Sequence, residues 1–181
     1  MPRTAEETRN HLVSERLELV PASADVLQAV LEGRRDTAEF RIPQAWPEKD
    51  VAEILPAYVG QLAQNPASAC WGIWFMVRRE DQTVVGDIGF KGPPDERGRV
   101  DMGYGVLPAC RRQGYASEAA RALVDWAFRQ GGVQTVTADC LAANAASVRV
   151  LEKVGMTRLG TTVAPEGVLV QWEIRRFADG Q

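Results

Sequence analysis

The chain has 181 residues, of which 45% are hydrophobic and 25% are charged, and these proportions are typical of a single soluble globular domain. A formal net charge of −3 gives no general attraction to nucleic acid or to an anionic membrane, so any anion must be bound locally. The cysteines, Cys70, Cys110 and Cys140, are odd in number and widely spaced, which argues against a disulfide framework and against a metal site.

The N-terminal segment, MPRTAEETRN, is polar and charged, unlike a signal peptide. The longest apolar run, WGIWFMV at residues 71–77, is too short to cross a bilayer. We therefore expect a cytoplasmic protein without membrane or nucleic-acid partners. We also expect residues 1–181 to form one domain, with residues 1–12 as a flexible N-terminal extension.

The first half of the chain predicts a strand, two helices and then three strands. ERLELV at residues 15–20 alternates like a half-buried strand, and SADVLQAVLEG at residues 23–33 has a serine cap, helical spacing and a terminal glycine. After a proline-containing loop, DVAEILPAYVGQLAQ predicts a second helix, kinked or restarted at Pro56. Turn residues then separate three strand candidates of an antiparallel meander, at residues 70–78, 83–91 and 99–107.

The second half alternates helices with strands. The stretch CRRQGYASEAARALVDWAF has the clearest helical period in the chain, with small and apolar residues on one face and charged residues on the other. Gly131 and Gly132 end that helix. A strand at residues 133–141, a short helix at residues 145–154 and a final hairpin follow. Because a strand–helix–strand unit connects parallel strands, we expect a mixed sheet.

The loop before the long helix has the composition of an anion site. Its pattern is Arg111-x-x-Gly114-x-Ala116, and a helix N-terminus carries free N–H groups and the positive end of the helix dipole. Arg111 and Arg112 add positive charge. The pattern is neither a Walker loop nor a dinucleotide fingerprint, and an ordinary surface turn is the alternative interpretation. The N–H groups of six consecutive residues can converge on a diphosphate: Arg112, Gln113, Gly114, Tyr115, Ala116 and Ser117.

Three segments, in the correct order, resemble the GNAT superfamily of N-acetyltransferases. GYGVLPACRRQGYASEA is similar to the acetyl-CoA-binding motif of that family, and NAASVRVLEKVGM to the segment after its next strand. SERLELVPAS resembles the entry strand of the RimJ/RimL-like branch. The resemblance implies an α/β (α+β) GNAT fold with a mixed, mostly antiparallel seven-stranded sheet flanked by about four helices. It also implies that acetyl-CoA is the cofactor and that the pyrophosphate of coenzyme A is the anion.

The resemblance also assigns residues to the pantetheine arm of the cofactor. It implies that Val106 offers backbone groups to the pantetheine and to the thioester carbonyl, and that Asn144 binds the same arm. Gly103 and Gly105 fit a close backbone approach, with relief of crowding as the alternative. Asn144 is also a suitable N-cap for the helix that follows it, and the two roles are compatible.

The proton source for the departing thiolate is open. Many members of the family have a tyrosine acid seven residues after the asparagine, where this chain has Leu151. The resemblance to the RimJ/RimL-like branch suggests Ser147 as the catalytic acid. A water molecule, direct loss of the thiolate and a purely structural Ser147 are the alternatives.

Asp101 is the candidate general base, because it takes the place of an acidic residue in the corresponding strand of the branch. Aspartate is shorter than glutamate, so we expect a bridging water. An exposed strand aspartate without a catalytic role is the alternative. His11 lies in the polar N-terminal segment, and the cysteines are better explained as small apolar residues than as nucleophiles.

Proton energetics favour a weakly basic acceptor. Deprotonating a lysine amine at pH 7 costs about 4.6 kcal/mol, against about 1 kcal/mol for an α-amine. This favours a peptide N-terminus or a small amine of lowered pKa over lysine, unless a desolvated site lowers the pKa of the lysine itself. Of these acceptors we expect the N-terminal α-amine of a peptide or protein. Trp46, Trp71 and Trp74 either line an acceptor cleft or belong to the core. A small-molecule amine acetyltransferase and a non-catalytic acyl-CoA-binding regulator are the competing functions, and a monomer and a homodimer are both open.

Overall fold

The computed structural model describes residues 11–176. The expected N-terminal extension therefore lies outside the described residues, apart from His11 and Leu12. Within the described part of the chain, no helix is long and apolar enough to cross a membrane.

Within residues 11–176, eight strands and four α-helices follow one another along the chain. The strands are β1 (Leu12–Val13), β2 (Leu17–Pro21), β3 (Ile73–Arg78), β4 (Thr83–Phe90), β5 (Arg99–Val106), β6 (Thr135–Leu141), β7 (Thr157–Ala164) and β8 (Gly167–Arg175). The helices are α1 (Ala24–Leu31), α2 (Lys49–Gln64), α3 (Tyr115–Arg129) and α4 (Ala145–Val154). Two short 3-10 helices cover Pro66–Trp71 and Pro108–Cys110.

The strands form one sheet in the order β1-β2-β3-β4-β5-β6-β8-β7. β5 and β6 are parallel, and the other neighbouring strands are antiparallel. The mixed, mostly antiparallel sheet expected from the sequence is confirmed. The strand count is eight and not seven, because Leu12–Val13 pairs with β2 at one edge.

One boundary of the secondary-structure prediction is wrong, and one of the two alternatives given for the helix at Pro56 is excluded. The strand expected from residue 70 begins at Ile73, because Pro66 occupies the first position of a 3-10 helix that runs to Trp71. α2 is not restarted at Pro56 but continues through it. Pro56 is exposed, so water can reach the carbonyl that loses its helical donor there.

The sheet packs a separate hydrophobic cluster on each face. α3 and α4 cover one face, where Leu123 and Leu151 pack with Val100 and Met102 of β5. α1 and α2 cover the other face. Because successive side chains of a strand alternate between faces, residues 101, 103 and 105 of β5 belong to the face of α1 and α2.

β5 and β6 separate halfway along their length. Their parallel pairing covers three positions: Arg99 with Thr135, Val100 with Val136, and Asp101 with Thr137. Beyond these positions β5 stays paired with β4, and β6 stays paired with β8. One edge of each strand therefore faces a gap.

Candidate active site

The gap leaves backbone hydrogen-bonding groups of β5 without a neighbouring strand. Lys91 N donates to Asp101 O at 2.8 Å and Leu107 N donates to Val85 O at 2.9 Å, so residues 101 and 107 bond toward β4. Because antiparallel strands bond at alternate residues, the backbone groups of residues 102, 104 and 106 point into the gap. The role of Val106 in holding a thioester stays a prediction, but its backbone lies at an edge that a ligand can reach.

The loop after β5 presents free N–H groups at the start of α3. Arg112 and Gly114 have positive φ angles of 62° and 85°. Among the described residues, no acceptor bonds the N–H groups of residues 112–117, and the first helical bond runs from Glu118 N to Gly114 O at 3.1 Å. Left-handed residues next to right-handed ones turn successive N–H groups toward one point, and this arrangement suits an anion.

The residues that the sequence assigned to the anion site differ in the exposure of their side chains. Those of Arg112 and Gln113 are exposed, and Ala116 is half-buried. Tyr115 and Ser117 are buried, so only their N–H groups can contribute to an anion site.

Arg16, just before β2, ties the loop to the sheet. Its N–H and Nε donate to the Glu118 carboxylate at 2.7 and 2.8 Å, and its Nη1 donates to the Gln113 carbonyl at 2.8 Å. Its guanidinium lies 4.8 Å from the centre of the Tyr115 ring. Burial acts to raise the pKa of Glu118, but its hydrogen bonds with Ser14 and Arg16 lower it overall. An ion pair that was not predicted from the sequence, between Arg16 and Glu118, therefore fixes the loop that carries the free N–H groups, and Glu118 neutralises part of the charge of Arg16.

Arg111 was predicted to add positive charge to the anion site, but in the structure its side chain binds other groups of the protein. Its Nε donates to the Val106 carbonyl and its Nη2 donates to Glu48, both at 2.8 Å. Glu48 is the N-cap residue of α2. The charge of Arg111 is therefore partly neutralised by the α2 side of the sheet and is not wholly available to an anion.

Asn144 lies at the start of α4, after the open part of β6. Its side-chain oxygen accepts from the Ser147 N–H at 3.1 Å, which confirms the N-cap interpretation. The hydroxyl of Tyr104 donates to the Ser147 carbonyl at 3.3 Å and so links β5 to α4. Burial raises the pKa of Tyr104 to about 12, against the effect of this hydrogen bond.

Leu151, the residue at the position of the tyrosine acid discussed above, is fully buried in the core.

Asp101 lies at the last position where β5 and β6 are paired. Its carboxylate is 2.7 Å from Lys91 Nζ and accepts from the Thr137 hydroxyl at 3.4 Å. Lys91 also lies 3.8 Å from Asp139. Burial acts to lower the pKa of Lys91, but its hydrogen bond to Asp101 and the charges of both aspartates raise it overall. The carboxylate is therefore already engaged by a cation, and the role of Asp101 as a base stays a prediction.

A second carboxyl group, not predicted from the sequence, lies on the same face of the sheet. Asp87 of β4 pairs with Gly105, and its Oδ2 accepts from the indole N–H of Trp46 at 2.8 Å. A Cβ on Gly105 would lie 3.6 Å from Glu48 Oε2 and 4.0 Å from Asp87 Oδ2, so both carboxylates lie over this glycine. A Cβ on Gly103 would meet nothing within 4 Å, so the space beside that residue is open. The sequence feature that could have indicated Asp87 is its position as the one charged residue in the apolar strand VVGDIGF.

The environment of Asp87 makes its protonation sensitive to pH near neutrality. Burial raises the pKa of Asp87 from an ordinary 3.8 to about 6; the Trp46 hydrogen bond opposes this shift and the charge of Glu48 adds to it. The residue is 9% exposed. A carboxyl group of this kind can take up and release a proton under physiological conditions.

The tryptophans belong to the core. Trp46 and Trp74 are fully buried, and the ring centre of Trp71 lies 5.0 Å from that of Trp126. Trp46 reaches the site as well, through its hydrogen bond to Asp87.

The chain is similar in sequence to known proteins. The family model described as "Acetyltransferase (GNAT) domain" matches residues 16–157. YjdG of Bacillus subtilis (strain 168), described as an uncharacterized N-acetyltransferase, is 36% identical over 110 residues. The aligned segment covers 61% of this chain and 66% of the length of YjdG.

Solved structures have the same fold. RimL, described as a ribosomal L7/L12 alpha-N-protein acetyltransferase in complex with coenzyme A, matches with a TM-score of 0.68 and 18% identity over 92% of this chain and 98% of that one. A spermidine N-acetyltransferase chimera of Vibrio cholerae SpeG and hSSAT matches with a TM-score of 0.68 and 11% identity over 89% and 96% of the two chains. At these identities the likeness extends to the fold alone, and the two names specify different acceptors.

We expect Arg16→Ala to weaken coenzyme A binding roughly tenfold or more, because it removes charge-assisted hydrogen bonds of about 1.5–3 kcal/mol that hold the loop. Isothermal titration with coenzyme A measures the dissociation constant. Arg129→Ala, at the exposed far end of α3, is the matched control and should bind as the parent protein does. Equal dissociation constants for the two variants would contradict the role given to Arg16.

We expect Asp87→Asn to stabilise the fold at pH 8. The pKa of Asp87 is raised in the folded protein, so its ionised form costs stability above about pH 6, and this cost disappears as the pH falls below about 4. Asparagine keeps an oxygen for the Trp46 N–H without the charge. The gain in the free energy of unfolding should reach up to about 3 kcal/mol at pH 8 and approach zero at pH 4.

Urea unfolding at the two pH values measures this difference. Asp125→Asn, on the exposed face of α3, is the control and should change little at either pH. A loss of stability at pH 8 in Asp87→Asn would show that burying the carboxylate carries no such cost.

Proposed function

Because the chain belongs to the GNAT acetyltransferase family, we propose that it is an acetyl-CoA-dependent N-acetyltransferase acting on a primary amine. The observation that carries the proposal is that one continuous segment contains both the open edge of β5 and the free N–H groups at the start of α3. The gap beside β5 opens beyond Asp101, and the free N–H groups of residues 112–117 begin six residues after the end of that strand, past the short 3-10 helix Pro108–Cys110. A pyrophosphate at the start of α3 and an acyl arm in the gap fit one extended ligand.

The residues present fit the pyrophosphate and the pantetheine arm of coenzyme A. We assign the N–H groups of residues 112–117 to the pyrophosphate, with the exposed Arg112 as the nearby cation and Arg16, paired with Glu118, as the residue that holds the loop. The edge of β5 that includes Val106 can pair with the amide groups of the pantetheine arm. Asn144, the N-cap of α4, follows β6, the strand that borders the other side of the gap, and we assign it to the same arm.

When bound, acetyl-CoA supplies an acetyl group activated as a thioester. We assign to the N–H groups at the open edge of β5 the polarisation of the thioester carbonyl. Ser147, or a water molecule beside it, protonates the departing thiolate. The proposal places the acceptor on the opposite face of the sheet, beside Gly103, where space is open, and Gly105, where two carboxylates are present.

The proposed acceptor is the α-amine of a peptide or protein N-terminus. Such an amine is deprotonated at a cost of about 1 kcal/mol at pH 7, against about 4.6 kcal/mol for lysine. No tyrosine is present at position 151, where many members of the family have their acid. A site with weak acid–base groups is therefore better matched to the less basic amine.

A small cationic amine is the second candidate, and the charges on the acceptor face favour it. Glu48, Asp87, Asp101 and Asp139 lie on this face, and Arg111 and Lys91 compensate only part of their charge. Like-charged carboxylates that line an open cleft attract polycations.

We expect release of the coenzyme A thiol from acetyl-CoA in the presence of a primary amine. The thiol is measured with a chromogenic disulfide reagent across N-terminal peptides of varied first residue, lysine-containing peptides with blocked N-termini, and polyamines. The proposal predicts the highest kcat/KM for free N-terminal peptides. The second candidate predicts it for polyamines, with a steep loss as salt is added.

Two other results separate the remaining alternatives. Thermal stabilisation by coenzyme A without thiol release for any amine would favour a non-catalytic acyl-CoA-binding regulator. The absence of both stabilisation and thiol release would contradict the assignment of the loop and the gap to acetyl-CoA.

A further inference from the structure

We propose that Asp87 is the residue that receives the ammonium group of the acceptor and takes its proton. The subsite consists of the Asp87 and Glu48 carboxylates over Gly105, and its ligand is a cationic primary amine. This inference rests on the proposed acetyltransferase function and assigns the base within it.

The strand register places Asp87 next to the open part of β5. Asp87 pairs with Gly105, which adjoins Val106, and β5 is separated from β6 at both positions. Gly105 has no side chain, so nothing at this position of β5 separates the backbone from the Asp87 carboxylate. A Cβ added to Gly105 would lie 4.0 Å from Asp87 Oδ2. The neighbouring Gly103 leaves open space on the same face. An amine approaching the thioester from this face therefore meets Asp87.

The Asp87 carboxylate is held in place and retains one free oxygen. The Trp46 indole N–H is bound to Oδ2 at 2.8 Å, and Trp46 is fully buried against Phe75, with ring centres 4.8 Å apart. No described residue donates a hydrogen bond to Oδ1. A fixed carboxylate with a free oxygen can accept a hydrogen bond from an incoming ammonium group.

The charges around Asp87 suit a cation. Glu48 approaches from the start of α2, and Arg111 from the loop after β5 holds Glu48 at 2.8 Å. Asp101 and Lys91 form their own ion pair farther along the same face. Two carboxylates with one arginine leave a net negative charge at Gly105, and an ammonium group would neutralise it.

Asp101 is the less suitable base on geometric grounds. It lies four residues from Gly105, about 13 Å along an extended strand. Its carboxylate is engaged by Lys91 at 2.7 Å and lies where β5 and β6 are still paired. Asp87 has neither a cationic partner in direct contact nor a paired β6 beside it.

In the proposed reaction the acceptor nitrogen loses two protons and gains the acetyl group. The ammonium group gives one proton to Asp87 and becomes a neutral amine. The amine nitrogen forms a bond to the acetyl carbon as the carbon–sulfur bond breaks. The second proton of the nitrogen goes to the departing sulfur through Ser147 or water, and Asp87 then releases its proton to solvent.

The test compares Asp87→Asn with Asp101→Asn, with the exposed Asp125→Asn as the matched control. We expect kcat at pH 7 to fall about 100-fold in Asp87→Asn, with the KM for acetyl-CoA unchanged. At pH 9 the deficit should shrink to about tenfold or less, because the acceptor is then neutral without help. This recovery at high pH identifies a proton acceptor, since a variant with only a structural defect would stay impaired at both pH values.

A second variant keeps the inference testable if Asp87→Asn does not fold. Trp46→Phe leaves the carboxylate in place but removes the hydrogen bond that lowers its pKa. We expect the acid limb of kcat to lie near pH 6 in the parent protein, as the pKa of Asp87 predicts, and at higher pH in this variant. An unmoved limb in this variant counts against Asp87.

The outcomes distinguish this inference from the proposed function. If the parent protein releases thiol and Asp87→Asn retains kcat within about threefold at pH 7, the inference fails and the acetyltransferase function stands. If Asp101→Asn shows the loss with recovery at high pH, Asp101 is the base. If the parent protein shows no turnover with any amine, the proposed function itself has failed.

Discussion

The separation of β5 from β6 after three paired positions is the constraint on which the site depends. A strand in the middle of a sheet normally has its backbone groups satisfied on both edges, and β5 loses one of these partners beyond Asp101. The unpaired edge is too polar to be covered by core side chains, so a ligand with amide groups is a suitable partner. The connection from β5 to α3 then places the free N–H groups of the helix start at the end of the same gap.

Two arginines from distant parts of the chain position the ends of this arrangement. Arg16 holds the loop by binding Glu118 and the Gln113 carbonyl, close to the free N–H groups. Arg111 joins the end of β5 to the start of α2 through Val106 and Glu48. The loop proposed to bind the anion and the helix proposed to face the acceptor are therefore connected by short charge-assisted hydrogen bonds.

The buried Asp87 lowers the stability of the fold at neutral pH, at the position for which we propose a catalytic role. Removing a carboxylate from water disfavours its charged form, and the single hydrogen bond from Trp46 only partly offsets that cost. A core selected for stability alone would place an apolar residue there, as at the flanking Ile88 of the same strand. The retained charge is consistent with a chemical role, and the open space beside Gly103 gives an acceptor access to it.

The sequence by itself determined the order of the elements, the mixed sheet, the Asn144 cap and the Arg111-x-x-Gly114-x-Ala116 loop, because hydrophobic period, caps and glycines act over a few neighbouring residues. The tertiary structure alone decided where β5 leaves β6, that Arg16 meets Glu118 across 102 residues of chain, and that Asp87 lies over Gly105 with Glu48. It also gave Arg111 a partner on α2 that no local pattern indicates. Such contacts depend on strand register and on which elements cross in space, and neither is encoded in the spacing of residues along one segment.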